Sequence, residues 1–111
     1  MKSSELLETI LAKPALYVGN RSIEKIVAYI DGYAHARIER GEYNPHDDLY
    51  RGFNQWVAGR LGIDTSHGWA EIISFMSGDE VAAFEMTKEL WAEYKQEVSE
   101  RGLQAANLPS E

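Results

Sequence analysis

The sequence contains no cysteine, and this absence excludes several classes of protein. A disulfide-stapled domain, a zinc site built on thiolates and a thiol nucleophile all need that side chain. No segment approaches the ~20 apolar residues that a membrane-spanning helix requires. The first residues, MKSSELLETI, also lack the apolar run of a signal peptide. We therefore expect a cytoplasmic protein without a membrane partner.

Basic residues are scarce in the second half of the chain. Residues 1–60 carry eight basic and eight acidic side chains, whereas residues 61–111 carry three basic and ten acidic ones. The second half therefore accounts for the whole net charge of −7. A surface of this sign repels nucleic acid and anionic membranes, and it favours a basic protein as partner.

Apolar residues recur at helical spacing over most of the first 41 residues. A first short helix is predicted to begin near Ser3 and to end before Pro14, because the residue before a proline disfavours helix. Residues 15–19 are too few for a helix of ordinary length, and we expect an extended connector or a brief strand. A second, longer helix is predicted to begin at Asn20 or Ser22 and to end near Gly41.

Two further helices are predicted in the middle of the chain. Residues 49–61 carry one apolar face, with Asp47 or Asp48 placed to cap the N-terminus. Residues 69–76 are strongly apolar, and we interpret them as a short fourth helix. Because this run is short and rich in β-branched and aromatic residues, a buried strand is the alternative.

The last helix is predicted to cover residues 77–103. Ser77 and Glu80 have the S-x-x-E spacing of a capping box, and Gly102 is placed to end the helix in the left-handed conformation. At ~100° per residue the core-facing positions fall on one side. They are Phe84, Thr87, Trp91, Tyr94 and Val98.

The opposite side of the last helix carries a row of carboxylates without a Lys or Arg among them. Like charges four residues apart cost a helix ~0.2–0.5 kcal/mol, so the row is unfavourable for the free protein. We predict that it binds a partner, with two neighbouring apolar side chains as anchors. The predicted binding residues are Asp79, Glu85, Glu89, Glu93, Glu97 and Glu100, with Met86 and Leu90 as the anchors.

These elements predict an all-α fold. We expect a single small domain of about five helices, packed as a compact orthogonal bundle over residues 1–103. Residues 104–111 are predicted to form a flexible C-terminal tail. With 111 residues, 44% of them hydrophobic, the chain is long enough for one core.

Catalytic residues are not evident in the sequence. Asp31, His35 and Glu39 are spaced by four and could ligate a metal, but a solvated helix face explains the same pattern. Neither a G-x-S-x-G motif nor a phosphate-binding glycine loop occurs. The prediction is therefore a protein that is not an enzyme and that needs no cofactor or metal.

Five motifs resemble those of small bacterial immunity proteins of polymorphic-toxin systems, of the contact-dependent inhibition type. They are K-P-x-L-Y-V-G at residues 13–19, I-x-x-I-x-A-Y-I-D-G-Y at 23–33, G-F-x-x-W-V at 52–57, H-G-W-A-x-I-I at 67–73 and S-G-D-E at 77–80. The resemblance implies a cytoplasmic inhibitor that binds a cognate toxin domain and blocks it. It also implies a basic, nuclease-like target, since many toxin domains are nucleases with basic clefts.

A second hypothesis is a homo-oligomeric helical module with an interaction or regulatory role and no catalytic activity. The chain has twelve aromatic residues, more than a small core needs. Tyr43, Tyr50 or Trp69 would then face a second subunit.

Overall fold

The computed structural model describes the backbone of residues 1–44 and 48–107, and the side chains of that part up to residue 101. This part of the chain contains six helices and no strand. They are α1 (Ser3–Ala12), α2 (Pro14–Tyr17), α3 (Ile23–Glu39), α4 (Tyr50–Leu61), α5 (Trp69–Ser77) and α6 (Glu80–Asn107). The prediction of an all-α single domain is confirmed, and α2 is the helix beyond the five expected. None of the described helices is long and apolar enough to cross a membrane.

The N-termini of α1 and α4 share one buried carboxylate. Asp48 accepts hydrogen bonds from the backbone N–H groups of Ser3 at 3.0 Å, Ser4 at 3.1 Å and Tyr50 at 3.1 Å. A helix N-terminus leaves such donors unpaired, and a carboxylate also favours the positive end of the helix dipole. The N-cap position of α4 is Leu49, one residue after the predicted cap, but Asp48 still binds the first N–H of α4 and links α1 to this helix. The other predicted cap, Asp47, lies outside the described residues.

Residues 14–17 form a helical turn, so the prediction of an extended connector or strand was wrong there. Pro14 occupies the first position of α2, where its missing N–H is not needed and its fixed φ suits a helix. The preceding Lys13 has φ −143°, outside the helical region, as expected for a residue before proline. The proline ends α1 and starts α2.

The predicted start of the long second helix is confirmed. The Ser22 hydroxyl accepts a hydrogen bond from the backbone N–H of Lys25 at 3.3 Å, and α3 follows it directly. The helix ends at Glu39, two residues before Gly41, whose φ of +71° marks a left-handed turn. Its buried side chains are Ile23, Ile26 and Ile30.

The junction of α5 and α6 differs from the predicted capping box. Residues 69–77 are helical, which decides between the helix and strand alternatives. Ser77 is the last residue of α5, and its hydroxyl donates to the Ile73 carbonyl at 2.6 Å. Gly78 then turns the chain at φ +84°. Asp79 caps α6 by accepting from the Ala82 N–H at 2.8 Å. Since only glycine takes this turn without strain, the next polar residue becomes the cap.

The end predicted for the last helix at Gly102 was also wrong, because α6 continues to Asn107. A glycine costs a helix ~1 kcal/mol relative to alanine, which weakens the helix without ending it. Residues 104–107 of the predicted tail are therefore helical. Residues 108–111 lie outside the described part of the chain.

An aromatic cluster forms the centre of the core. The Phe53 ring lies 4.9 Å from Trp91, 5.4 Å from both Trp69 and Tyr94, and 6.1 Å from Trp56, measured between centroids. Such ring pairs add ~0.5–1.5 kcal/mol each beyond the burial of apolar area. Trp69, which the self-association hypothesis placed at an interface, is buried here, and its indole N–H donates to the Tyr50 hydroxyl at 3.1 Å.

Candidate partner-binding surface

Helix α6 has the rotation that the sequence predicts. Trp91 is only 3% exposed, and the other predicted core positions on this helix are buried or half-buried. The carboxylates of Glu85, Glu89 and Glu93 lie on the exposed side. The long helix therefore fixes these carboxylates on a rigid element, with its aromatic side held in the core.

The C-terminal part of the predicted acidic row is paired with basic and polar groups. The Arg60 guanidinium of α4 donates to Glu93 at 2.6 Å. The Trp56 indole N–H donates to Glu97 at 2.7 Å, and Arg101 also pairs with Glu97. The hydrogen bond from Trp56, followed by that from Arg101, lowers the pKa of Glu97. Two of the six predicted carboxylates are thus occupied within the protein.

The geometry of the helix explains this pairing. Residues four apart advance by about 40° around an α-helix, so a row with this spacing winds around the axis. The winding carries Glu93 and Glu97 towards α4, which supplies Arg60 and Trp56. The row itself contains no basic residue, but basic residues outside the row lie close enough to pair with it.

The N-terminal part of the row remains open. Within the described residues, the carboxylates of Glu85 and Glu89 neither form an ion pair nor accept a hydrogen bond, and both residues are exposed. Asp79 uses one carboxylate oxygen to cap α6 and is also exposed. Glu100 accepts from the Gln96 amide at 3.3 Å on the exposed side. The free carboxylates are consequently concentrated near the start of α6.

One of the two predicted apolar anchors cannot serve as a contact. Leu90 is only 6% exposed, because it lies one turn before Tyr94 on the buried side of α6. Met86 is half-buried and packs against the core. The sequence pattern placed both residues beside the acidic row, but only Met86 offers part of its side chain to a partner.

Exposed apolar side chains occur instead at the end of α5. Phe75 is 85% exposed and Met76 is 49% exposed. The buried stripe of this helix consists of Trp69, Ile72 and Ile73, at positions i, i+3 and i+4. That spacing fills one helical face and leaves Phe75 beside it, so the sequence contained a signal for its exposure.

Phe75 and Met76 line a surface cavity of about 510 Å³ between α5 and the loop that precedes it. We call these lining residues the α5 patch. They are Ile63, Thr65, His67, Glu71, Ile72, Phe75 and Met76. Only one of the seven carries a permanent charge, and that charge is negative.

A second groove, of about 570 Å³, lies between α1, α2 and the start of α6. It combines the basic side chains of Lys13, Arg21 and Lys88 with the carboxylates of Glu80 and Glu85. Because its wall carries charges of both signs, it favours neither a basic nor an acidic partner.

The candidate metal ligands do not form a metal site. His35 pairs with Glu39 at 3.2 Å on an exposed helix face. Within the residues that the structure describes, no group of three or more His, Asp or Glu side chains could hold a metal ion. The sequence has two further histidines: His46 lies outside the described residues, and His67 pairs with Glu71 on the surface. No family model, curated protein or solved structure matches the chain.

Proposed function

We propose that this protein is a toxin-neutralising immunity protein that acts in the cytoplasm. It binds a cognate toxin domain with a basic, nuclease-like surface and occludes it, without enzymatic activity and without a cofactor. The observation that carries the proposal is the pair of exposed carboxylates on α6, Glu85 and Glu89, which have no partner among the residues that the structure describes. The class is the one that the resemblance of five sequence motifs to those of immunity proteins implies.

Electrostatics supports a basic partner. The segment of residues 61–87 contains five acidic side chains and no Lys or Arg. Lys88 follows this segment, between Glu85 and Glu89, but acidic side chains predominate over it. A surface on which one sign predominates steers an oppositely charged protein during approach and raises the association rate. The same field repels nucleic acid. Such a surface can therefore cover a nuclease cleft without itself binding the nucleic acid that the nuclease cleaves.

The free protein bears a small penalty that a basic partner would remove. Glu85 and Glu89 stand four residues apart on α6, and like charges at this spacing repel by ~0.2–0.5 kcal/mol. Glu93, the next in the row, is already relieved by Arg60 at 2.6 Å. A partner Lys or Arg placed between Glu85 and Glu89 would act on the open pair as Arg60 acts on Glu93.

The test uses the product of the neighbouring gene, which the proposal predicts to be the toxin domain. Cells that express the toxin domain are scored for growth with the wild-type protein, with Glu85→Lys and Glu89→Lys combined, and with Asp31→Lys and Glu42→Lys combined. The last variant makes the same change of net charge away from α6. We expect the wild type and the control to protect, and the α6 variant to protect poorly. Equal protection by all three would contradict the proposal.

A further inference from the structure

The α5 patch differs from the scattered apolar side chains found on most protein surfaces. Single exposed apolar residues are ordinary, whereas contiguous ones mark contact sites. Phe75, at 85% exposure, shares its cavity with Met76, Ile63 and Ile72. Exposure of a large aromatic ring beside a preformed apolar cavity provides what a buried interface core needs.

Two short segments of the chain connect the α5 patch to residues that contact or begin the acidic row of α6. Ile63 follows Arg60 by three residues, and the Arg60 guanidinium bonds Glu93. Met76 precedes Asp79, the cap of α6, by three residues. Three residues of extended chain span at most ~11 Å between Cα atoms. The Cα atoms of Ile63 and Met76 therefore lie within ~11 Å of Arg60, which pairs with Glu93, and of Asp79, the first carboxylate of the row, respectively.

The charges around the patch select its occupant. Glu71 lies in its wall, where it pairs with His67, and Asp64 lies in the preceding loop. The nearest Lys and Arg residues along the chain are Arg60 and Lys88. A symmetric dimer through this patch would bring Glu71 and Asp64 of both copies together, which is unfavourable. An apolar segment flanked by Lys or Arg can fill the apolar cavity, and its basic residues can pair with the acidic residues beside the cavity.

We propose that the α5 patch binds the apolar face of a cationic amphipathic helix of the partner, with Phe75 and Met76 as the central contacts. A helix presents apolar side chains at i, i+3, i+4 and i+7 to such a groove. This inference rests on the proposed function, because it assumes a basic partner. The α5 patch supplies the apolar anchors that the buried Leu90 cannot provide.

The two surfaces then have different kinetic roles. Exposed charges act mainly on the association rate and its salt dependence, whereas apolar anchors in an interface core act mainly on the dissociation rate. Substitutions at Glu85 and Glu89 should slow association. Substitutions at Phe75 and Met76 should speed dissociation.

The test uses a fluorescein-labelled helical peptide of about 18 residues, with Leu at the positions of one face and Lys elsewhere. One control peptide has Ser in place of Leu, and the other has Glu in place of Lys. The protein variants are Phe75→Ser with Met76→Ser, and Leu16→Ser as a matched control. Leu16 is 75% exposed in the other groove. Fluorescence anisotropy gives the affinities, and circular dichroism checks folding.

We expect the Leu–Lys peptide to bind, both control peptides to bind at least about tenfold more weakly, and the α5 patch variant to lose about tenfold in affinity while Leu16→Ser keeps it. Equal binding of the Ser peptide, or an unaffected patch variant, would overturn the inference. A dimer of the free protein that the patch variant abolishes would also overturn it, because the occupant would then be a second copy.

The proposed function and this inference fail separately. If the neighbouring toxin domain does not bind the wild type, the proposed function fails whatever the peptide does. If the toxin domain binds and the patch variant dissociates at the wild-type rate, only the inference about the α5 patch fails.

Discussion

The substitution Gly52→Ala tests how tightly α4 and α6 are packed. A Cβ added to Gly52 would lie 2.5 Å from the Tyr94 hydroxyl oxygen, far closer than van der Waals contact. That hydroxyl donates to the Leu49 carbonyl at 2.8 Å, and the Tyr94 ring is wedged against Phe53, Trp56 and Trp91. The ring cannot move aside without disturbing the aromatic cluster.

Two opposing effects set the magnitude. Alanine favours a helix over glycine by ~1 kcal/mol. Against this, displacement of Tyr94 loses a hydrogen bond worth ~1 kcal/mol and strains the packing by ~1–3 kcal/mol. We expect Gly52→Ala to destabilise the protein by ~1–3 kcal/mol. Gly59→Ala, on the same helix with nothing within 4 Å of the added Cβ, should stabilise it by ~0.5–1 kcal/mol.

Urea unfolding followed by circular dichroism measures both changes. Tyr94→Phe removes the obstructing hydroxyl, so adding Gly52→Ala to it should be much less harmful than adding Gly52→Ala to the wild type. The expected coupling in this double-mutant cycle is ~1–2 kcal/mol. If Gly52→Ala and Gly59→Ala stabilise the protein equally, the proposed packing of α4 against α6 is incorrect.

Three further predictions concern the core and the helix caps. Trp91→Ala should lower the free energy of unfolding by ~3–5 kcal/mol, and a thermal midpoint near that of the wild type would contradict its burial. Asp48→Ala removes the shared cap of α1 and α4 and should cost ~2–3 kcal/mol in urea unfolding, whereas a loss below ~0.5 kcal/mol would exclude that role. Burial raises the pKa of Tyr50 from 10.0 to about 12, so the unfolded chain ionises first. Stability should fall between pH 10 and 12 by up to ~2–3 kcal/mol, and Tyr50→Phe should flatten this fall in an alkaline unfolding series.

Much of the fold could be predicted from the sequence because the spacing of nearby residues is enough to predict its helices. Apolar residues recur every three or four positions on one face of α1, α3 and α6. Ser22 caps α3 by accepting a hydrogen bond from the N–H of Lys25, three residues further along the chain. The buried side of α6, with Trp91 at its centre, follows from the same periodicity. Such signals need no knowledge of the tertiary structure.

The features that were missed depend on competing local choices or on distant residues. Gly78 takes the left-handed turn, which moves the cap of α6 from Ser77 to Asp79. Pro14 can start a helix as well as stop one. Asp48 binds the N-terminus of α1 from more than forty residues away, a distance that no local pattern reports.

The candidate site was predicted in outline only, for the same reason. Exposure of Glu85 and Glu89 follows from the rotation of α6 alone. The pairing of Glu93 with Arg60 required the position of α4, and so did the contact between Trp56 and Glu97. A helical wheel of α6 shows only the side chains of α6, so it cannot predict contacts with side chains of α4.

The rate of association with the proposed partner, the toxin domain that we expect the neighbouring gene to encode, tests the central claim most directly when it is measured by stopped flow at low and at physiological salt. We predict that the wild type associates about tenfold or more faster at low salt, and that combined Glu85→Lys and Glu89→Lys removes most of this dependence. The control with Asp31→Lys and Glu42→Lys should retain it. An identical salt dependence in all three proteins would show that α6 does not meet the partner.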